Sequence, residues 1–346
     1  MIKTHGYAAQ SATTAPAPFD FEHRDPRPKD VVLDIQFCGI CHSDIHQARG
    51  EWGNSMFPMV PGHEIVGVVT AVGGEVTKFK VGDTAAVGCM VDSCRECASC
   101  KAGEEQYCDK RATVFTYNSK DKDGNLTFGG YANHIVVDEA YTLKVPASLD
   151  PAAAAPLLCA GITTYSPLKH WKAGPGKKIG IVGLGGLGHM GLKFSHAFGA
   201  QTVMFTTSAN KIEDAKKLGA DEVILTKEAG WHEAHLGTFD FILDCVSAPH
   251  DVNPYLNLLK RDGVMCSVGV PETPISINTW SVISRRSYTG SAIGGIAETQ
   301  EMLDFCAEHG IVSDIEMTSF KELETAWDRV VKADVKYRFV LDLKTL

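Results

Sequence analysis

No stretch of about 18 uninterrupted apolar residues occurs in the chain, so no segment of it is expected to cross a bilayer as a helix. Long runs of Lys or Arg are also missing, and the net charge is −9 with a pI near 5.8. That balance argues against nucleic acid and against anionic membrane as partners. The opening segment, Met1-Ile-Lys-Thr-His-Gly-Tyr-Ala-Ala, lacks the apolar core of a secretory signal. Internal repeats and low-complexity tracts are absent too. An even cysteine complement is lacking as well: there are eleven, several inside apolar strand-like runs. A reducing compartment, the cytoplasm, suits this better than a disulfide framework.

What remains is ordinary globular material. With 346 residues, 44% apolar and 22% charged, the chain is long enough for about two domains with substantial cores. The first half reads as antiparallel β, with strand-like runs at 31–37, 65–72, 81–87 and 131–137 rich in β-branched residues. Near Asp150-Pro151 the pattern changes to a helix start, with Asp at the cap and Pro in the first turn. Six candidate parallel strands follow, at 179–182, 202–205, 222–225, 239–243, 264–268 and 288–290, alternating with helical stretches. This is the pattern of one doubly wound α/β domain. Beyond about Gly294 come two helical stretches and a last strand, 338–342, which has no sheet of its own and must return to an existing one. The expected layout is a β-rich domain from residues 1–154 and 293–346 with a Rossmann domain, 155–292, inserted.

Four cysteines, Cys94, Cys97, Cys100 and Cys108, crowd one excursion loop of the β-rich part. Short Cys-x-x-Cys steps let one loop wrap a tetrahedral Zn²⁺; two local disulfides are the competing arrangement. Four sulfurs leave no open position, so such a zinc is structural.

Ile179-Gly-Ile-Val-Gly183-Leu184-Gly185-Gly186-Leu187-Gly188 is a strand running into G-x-G-x-x-G and then a helical pattern. The glycines give a tight turn, an open approach for the pyrophosphate and close helix packing, with the helix N-terminus facing the anion. The next strand ends Phe205-Thr206-Thr207-Ser208, with Lys211 close behind and no carboxylate to hold a ribose 2′-hydroxyl. Hydroxyls and a cation suit a 2′-phosphate, which predicts NADP(H) rather than NAD(H).

Three further ligand types are scattered: Cys41 in Cys-His-Ser-Asp, His63 in Pro-Gly-His-Glu and Cys159 in Leu-Leu-Cys-Ala-Gly. Spacing does not connect them; Cys159 reads equally as a packed core thiol, and Cys38 with Cys41 mimics a redox pair. These three motifs, the four-cysteine loop and the glycine loop nevertheless occur in one order that resembles the zinc-dependent medium-chain alcohol dehydrogenases over essentially the whole chain. The cinnamyl-alcohol-dehydrogenase-like branch, with bacterial NADPH-dependent aldehyde reductases, is the most similar.

The resemblance implies a GroES-like catalytic domain, one catalytic and one structural Zn²⁺ per chain, and reversible hydride transfer between NADP(H) and an alcohol/aldehyde pair. Cys41, His63 and Cys159 would hold the catalytic ion, with Glu64 near or transiently on it. Asp44 would orient the histidine ligand. Ser43 would hand a proton to the nascent alcohol and His46 would carry it onward. His42, Thr163, Ser291 and Ile293 match cofactor contacts. Trp52, Cys89 and again Ile293 fall near substrate-pocket positions, with plain packing as the competing role for Trp52. A homodimer paired through the cofactor domain is implied as well. Polyol or secondary-alcohol oxidation and a non-catalytic zinc-binding or redox-sensing protein are the alternative functions.

Overall fold

The computed structural model describes residues 1–346, which divide into two compact units. One comprises Met1–Ile162 with Gly294–Leu346, the other Thr163–Ile293. The division falls inside the helix Ala160–His170, later than the 154/155 boundary expected from composition. Residues just before it pack with the β-rich unit: a Cβ on Gly161 would lie 3.1 Å from Leu157 and 3.3 Å from the Met302 sulfur.

The β-rich unit is built on a seven-stranded sheet around Asp30–Ile40. This strand pairs antiparallel with Ile65–Val72, His134–Asp138 and Arg338–Asp342. The last strand of the chain therefore does return, and it brings a parallel neighbour, Ile315–Thr318, that the sequence pattern did not suggest. Strand Thr84–Val87 starts later than its apolar run, because Val81 lies 62% exposed beside the turn at Gly82. An N-terminal hairpin, Ile2–Ala8 with Ala17–His23, was likewise not anticipated. Asp150 caps the helix Pro151–Ala154 by accepting from the amides of Ala152 and Ala153, as its position before Pro151 predicts.

The second unit is a six-stranded parallel sheet. Its spatial order is Glu222–Leu225, Gln201–Thr206, Lys178–Val182, Phe239–Asp244, Leu259–Ser267 and Ser287–Gly290. The first three strands of this unit are laid down outward from Lys178–Val182 to one side and the next three on its other side, so the switch point of a doubly wound dinucleotide fold falls between Lys178–Val182 and Phe239–Asp244. The central strands Lys178–Val182, Gln201–Thr206 and Phe239–Asp244 are largely apolar and buried, as strands covered on both faces must be. Phe205, Phe239, Ile242, Leu256 and Met265 lie in the core, and burying each large side chain contributes about 1.5–3 kcal/mol.

Candidate active site and metal centres

Register in the seven-stranded sheet gathers the scattered ligands. The central strand ends at Ile40 and delivers Cys41 to the N-cap of the helix His42–Ala48. Its antiparallel neighbour begins at Ile65, opposite Cys38, so His63 and Glu64 enter at the same end. The C-terminal strand pairs Phe339 with Ile40, which sets Arg338 there too. Cys159 arrives from the 3₁₀ turn Ala155–Leu158. One donor atom each from Cys41, His63, Glu64 and Cys159 lies within 4.8 Å of the others, and all four residues are buried.

The spacing suits zinc. Thiolates about 2.3 Å from a tetrahedral ion sit roughly 3.8 Å apart. Cys41 Sγ and Cys159 Sγ are separated by 3.9 Å. Glu64 supplies a second indication, since its Oε2 is buried without a hydrogen-bond partner while Oε1 is held by Arg338. A fully buried carboxylate oxygen with no partner is costly, and a cation at this place would relieve it.

Around this set the supporting groups are well defined. Asp44 Oδ1 lies 3.0 Å from His63 Nδ1 and accepts from the Gly62 amide, and Asp44 Oδ2 accepts from the Cys41 amide. One carboxylate thus orients two ligands and leaves Nε2 of His63 toward the donor set. Burial pulls His63 down, but the Asp44 charge and hydrogen bond hold its pKa well above the ordinary value. The hydrogen bond from Cys159 comes first among the causes that hold Cys41 well below an ordinary thiol. Burial pushes Glu64 up against the pull of Arg338. Ser43 Oγ is 3.6 Å from Cys41 Sγ. His42 and His46 stack at 4.4 Å, His46 and Trp52 at 5.2 Å, and Trp52 Nε1 is buried without a partner. Cys89 approaches Leu158 O at 3.6 Å, and Cys159 is the main influence holding its thiol below the usual range. Cys38 is a buried core thiol raised by burial.

Three partners escaped the sequence reading. Glu51 pairs with Nδ1 of His46, which fixes that imidazole's orientation. Tyr117 stacks on His63 at 5.7 Å. Arg338 is buried against Glu64; an arginine inside the apolar run Tyr337-Arg338-Phe339-Val340-Leu341 was the signal available. Glu51 and Tyr117 carried none.

The four-cysteine loop closes on itself. Cys94 and Cys100 sulfurs are 3.7 Å apart, and those of Cys97 and Cys108 3.9 Å. Both separations match tetrahedral thiolates and far exceed a disulfide bond of about 2.05 Å. All eleven cysteines are free, which removes the disulfide arrangement. Turn geometry does the folding: Cys94 Sγ accepts from the Cys97 amide and Cys97 Sγ from the Cys100 amide, across a left-handed Arg95 (φ 61°). Backbone hydrogen bonds, Ala112 first, draw Cys108 down to about 6, whereas burial pushes Cys100 up to about 12. A buried chain backs Cys100, in which Tyr141 donates to Ser93 at 2.6 Å and Ser93 Oγ lies 3.2 Å from the sulfur.

In the parallel-sheet unit the glycine loop keeps its expected form. Gly183 turns at φ 89°, and a Cβ on Gly188 would lie 1.8 Å from Gly183 O. Above Gly185 nothing comes within 4 Å, an open cradle before the helix Gly188–Ala197 where a pyrophosphate fits. Lys211 Nζ donates to Leu184 O at 2.8 Å, tying the end of the neighbouring strand to this loop. Thr206 Oγ1 accepts from the Ser208 amide, and Thr207 is exposed. Thr163 is buried in the helix Ala160–His170; Ser291 donates its amide to Ser267 O, and Ile293 has φ 41°.

A closed four-sulfur centre and a mixed Cys₂His centre, carried by a chain that also holds a dinucleotide loop, define the zinc-dependent medium-chain alcohol dehydrogenases, and this chain belongs to that family. Residues 27–147 match the alcohol dehydrogenase GroES-like domain and residues 186–308 the zinc-binding dehydrogenase domain. Within the family it falls in the cinnamyl-alcohol-dehydrogenase-like branch. It is 53% identical over 348 residues to aldehyde reductase YahK of Escherichia coli (strain K12), covering 100% of this chain and 99% of that protein. NADP-dependent alcohol dehydrogenase C 1 of Mycolicibacterium smegmatis is 52% identical over 347 residues, with 100% and 99% covered. Among solved structures, a cinnamyl alcohol dehydrogenase of Sorghum bicolor superposes with a TM-score of 0.96 at 45% identity, covering 99% of this chain and 98% of that one. The NADP(H) complex of the Helicobacter pylori enzyme gives 0.93 at 40% identity, with 99% of each chain covered. The protein is therefore a zinc- and NADP-dependent oxidoreductase acting on alcohol/aldehyde pairs.

Proposed function

We propose that the enzyme works chiefly as a broad reductase of apolar and aromatic aldehydes, with Cys41, His63 and Cys159 as catalytic zinc ligands. The observation that carries this reading is the buried Cys41–His63–Cys159 donor set backed by Asp44, with Ser43 against Cys41. The ion supplies Lewis-acid polarisation of a carbonyl, and the nicotinamide supplies the hydride. Ser43 then gives its hydroxyl proton to the oxygen of the reduced substrate. His46 replenishes it, its Nδ1 fixed on Glu51 so that Nε2 is the exchanging atom. Asp44 keeps His63 in the ligating tautomer. Glu64, anchored by Arg338, would offer its unpartnered Oε2 beside the bound ion. Thr206, Thr207, Ser208 and Lys211 bind the 2′-phosphate, and Gly183, Leu184, Gly185, Gly186, Leu187 and Gly188 bind the pyrophosphate. His42, Thr163, Ser291 and Ile293 complete the cofactor contacts, with Trp52, Cys89 and Ile293 lining the substrate pocket.

We further infer a homodimer joined through the parallel-sheet unit. Its edge strand Ser287–Gly290 pairs on one side only, and Trp280 (77% exposed), Ile283 and Val270 offer apolar surface on that unit. No helix is long and apolar enough to cross a membrane, and eleven free thiols support a cytoplasmic setting. An aldehyde and polyol panel followed by NADPH and NADH absorbance tests the substrate reading. Faster reduction of benzyl and cinnamyl aldehydes with NADPH is expected. Preferential polyol oxidation with NAD would contradict it.

A further inference from the structure

Asp244 closes the fourth strand of the parallel sheet, counted along the chain, and its side chain is completely buried. Its carbonyl accepts from the amides of Val268 and Gly269, and Oδ1 accepts from the Val246 amide. The one cation paired with Asp244 is His250, whose Nε2 lies 3.3 Å from Oδ2. Neither atom has a hydrogen-bond partner, so the two meet as a close charge pair and not as an aligned hydrogen bond. The other ring nitrogen, Nδ1, lies 3.0 Å from Ala248 O. With Nδ1 donating to Ala248 O, an unprotonated Nε2 would set its lone pair against the Asp244 carboxylate at 3.3 Å, so this placement favours the ring with both nitrogens protonated.

The turn it fastens, residues 245–250, sits at the cofactor loop. The Cys245 amide donates to Val182 O at 3.0 Å, the last residue before Gly183. A Cβ on Gly183 would lie 2.6 Å from Val246 Cγ2, and one on Gly269 2.3 Å from Val246 O. Val246 is thus wedged between the glycine turn and the end of the next strand. We propose that His250 is a positioning residue for NADP(H): its cationic form clamps the 245–250 turn against the glycine turn, and its deprotonation weakens dinucleotide binding. This rests on the NADP(H) assignment and adds to it a pH-sensitive support outside the contact shell.

The groups facing the pair leave His250 as the titrating member near neutral pH. Burial pushes Tyr255, which meets His250 edge-on at 6.2 Å, up to about 12, and Cys266 likewise to about 12. Cys245 and Tyr288 are raised by burial too. Asp251, exposed and adjacent in the chain, adds only further negative charge. The adjacent Asp244 carboxylate, acting against burial, raises His250 above the ordinary histidine value. The clamp is therefore present at acid and neutral pH and is lost as pH rises through that raised value.

The test is NADPH affinity, read by nucleotide fluorescence from about pH 6 to about pH 9, for the wild type and for His250→Gln. The wild type should bind roughly tenfold more tightly at the acid end, the gap closing as pH rises. Ionisation of the 2′-phosphate is common to both proteins and cancels in their ratio. A ratio independent of pH would overturn the proposal. Because coupling is reciprocal, NADPH must also raise the pKa of His250 in the unmutated protein, by about one unit for a tenfold effect. Histidine-selective NMR reads this without a variant that must fold, and an unmoved His250 would equally overturn the clamp. Wild type that fails to bind NADPH at any pH would bring down the cofactor assignment itself, and the clamp with it.

Discussion

The two donor clusters of the β-rich unit, proposed above as zinc sites, bring their ligand atoms together in opposite ways. The Cys94–Cys108 centre is local: one loop supplies every donor, and the folded turn presents amides to the sulfurs. The Cys41–His63–Cys159 cluster is assembled from distant chain segments by sheet register, with Asp44 holding Cys41 and His63 and Arg338 holding the neighbouring Glu64. A site that is its own fold serves stability. A site hung on a fold already stable for other reasons can keep a position open for chemistry.

Removing a ligand from each centre should separate these roles most sharply. Apparent zinc binding at a structural site is worth about 10–16 kcal/mol, so Cys100→Ser should abolish soluble, folded protein, read by yield and circular dichroism. Cys41→Ser should fold, retain one zinc and lose turnover. Comparable folding losses in both would erase the distinction drawn here. Next in size is Ser43→Ala, expected to lower kcat by about 10²–10⁴-fold with NADPH affinity unchanged; an equal loss of affinity would point to a binding role. Asp44→Asn should weaken retention of the catalytic zinc by about 10–100-fold under chelator dialysis, leaving the four-sulfur zinc in place. The smallest effect belongs to Ser93→Ala. Loss of one hydrogen bond to a thiolate costs about 1.5 kcal/mol, or roughly tenfold faster zinc release from the four-sulfur site, with Ser93→Thr restoring the slow rate.

The same contrast governs what could be read from the chain. Cys94, Cys97, Cys100 and Cys108 announced zinc through spacing, because local geometry is written in local sequence. The glycine loop was legible for that reason, as were the parallel strands, the central ones of which are buried on both faces and so written as apolar runs. Cys41, His63 and Cys159 were connected only through resemblance, since no spacing rule spans Cys41 to Cys159. Arg338 and Glu51 went unread because their roles depend on which strand end or turn they reach. Ile315–Thr318 went unread as a short edge strand whose alternation was too brief to stand out.

Zinc counted per chain by mass spectrometry, on wild type and Cys41→Ser samples that are also assayed for aldehyde-dependent NADPH oxidation, bears most directly on the divided roles of the two centres. The account predicts two zinc ions and turnover in the first, one zinc ion and no turnover in the second. Equal zinc content in the two proteins, or turnover surviving in Cys41→Ser, would contradict it.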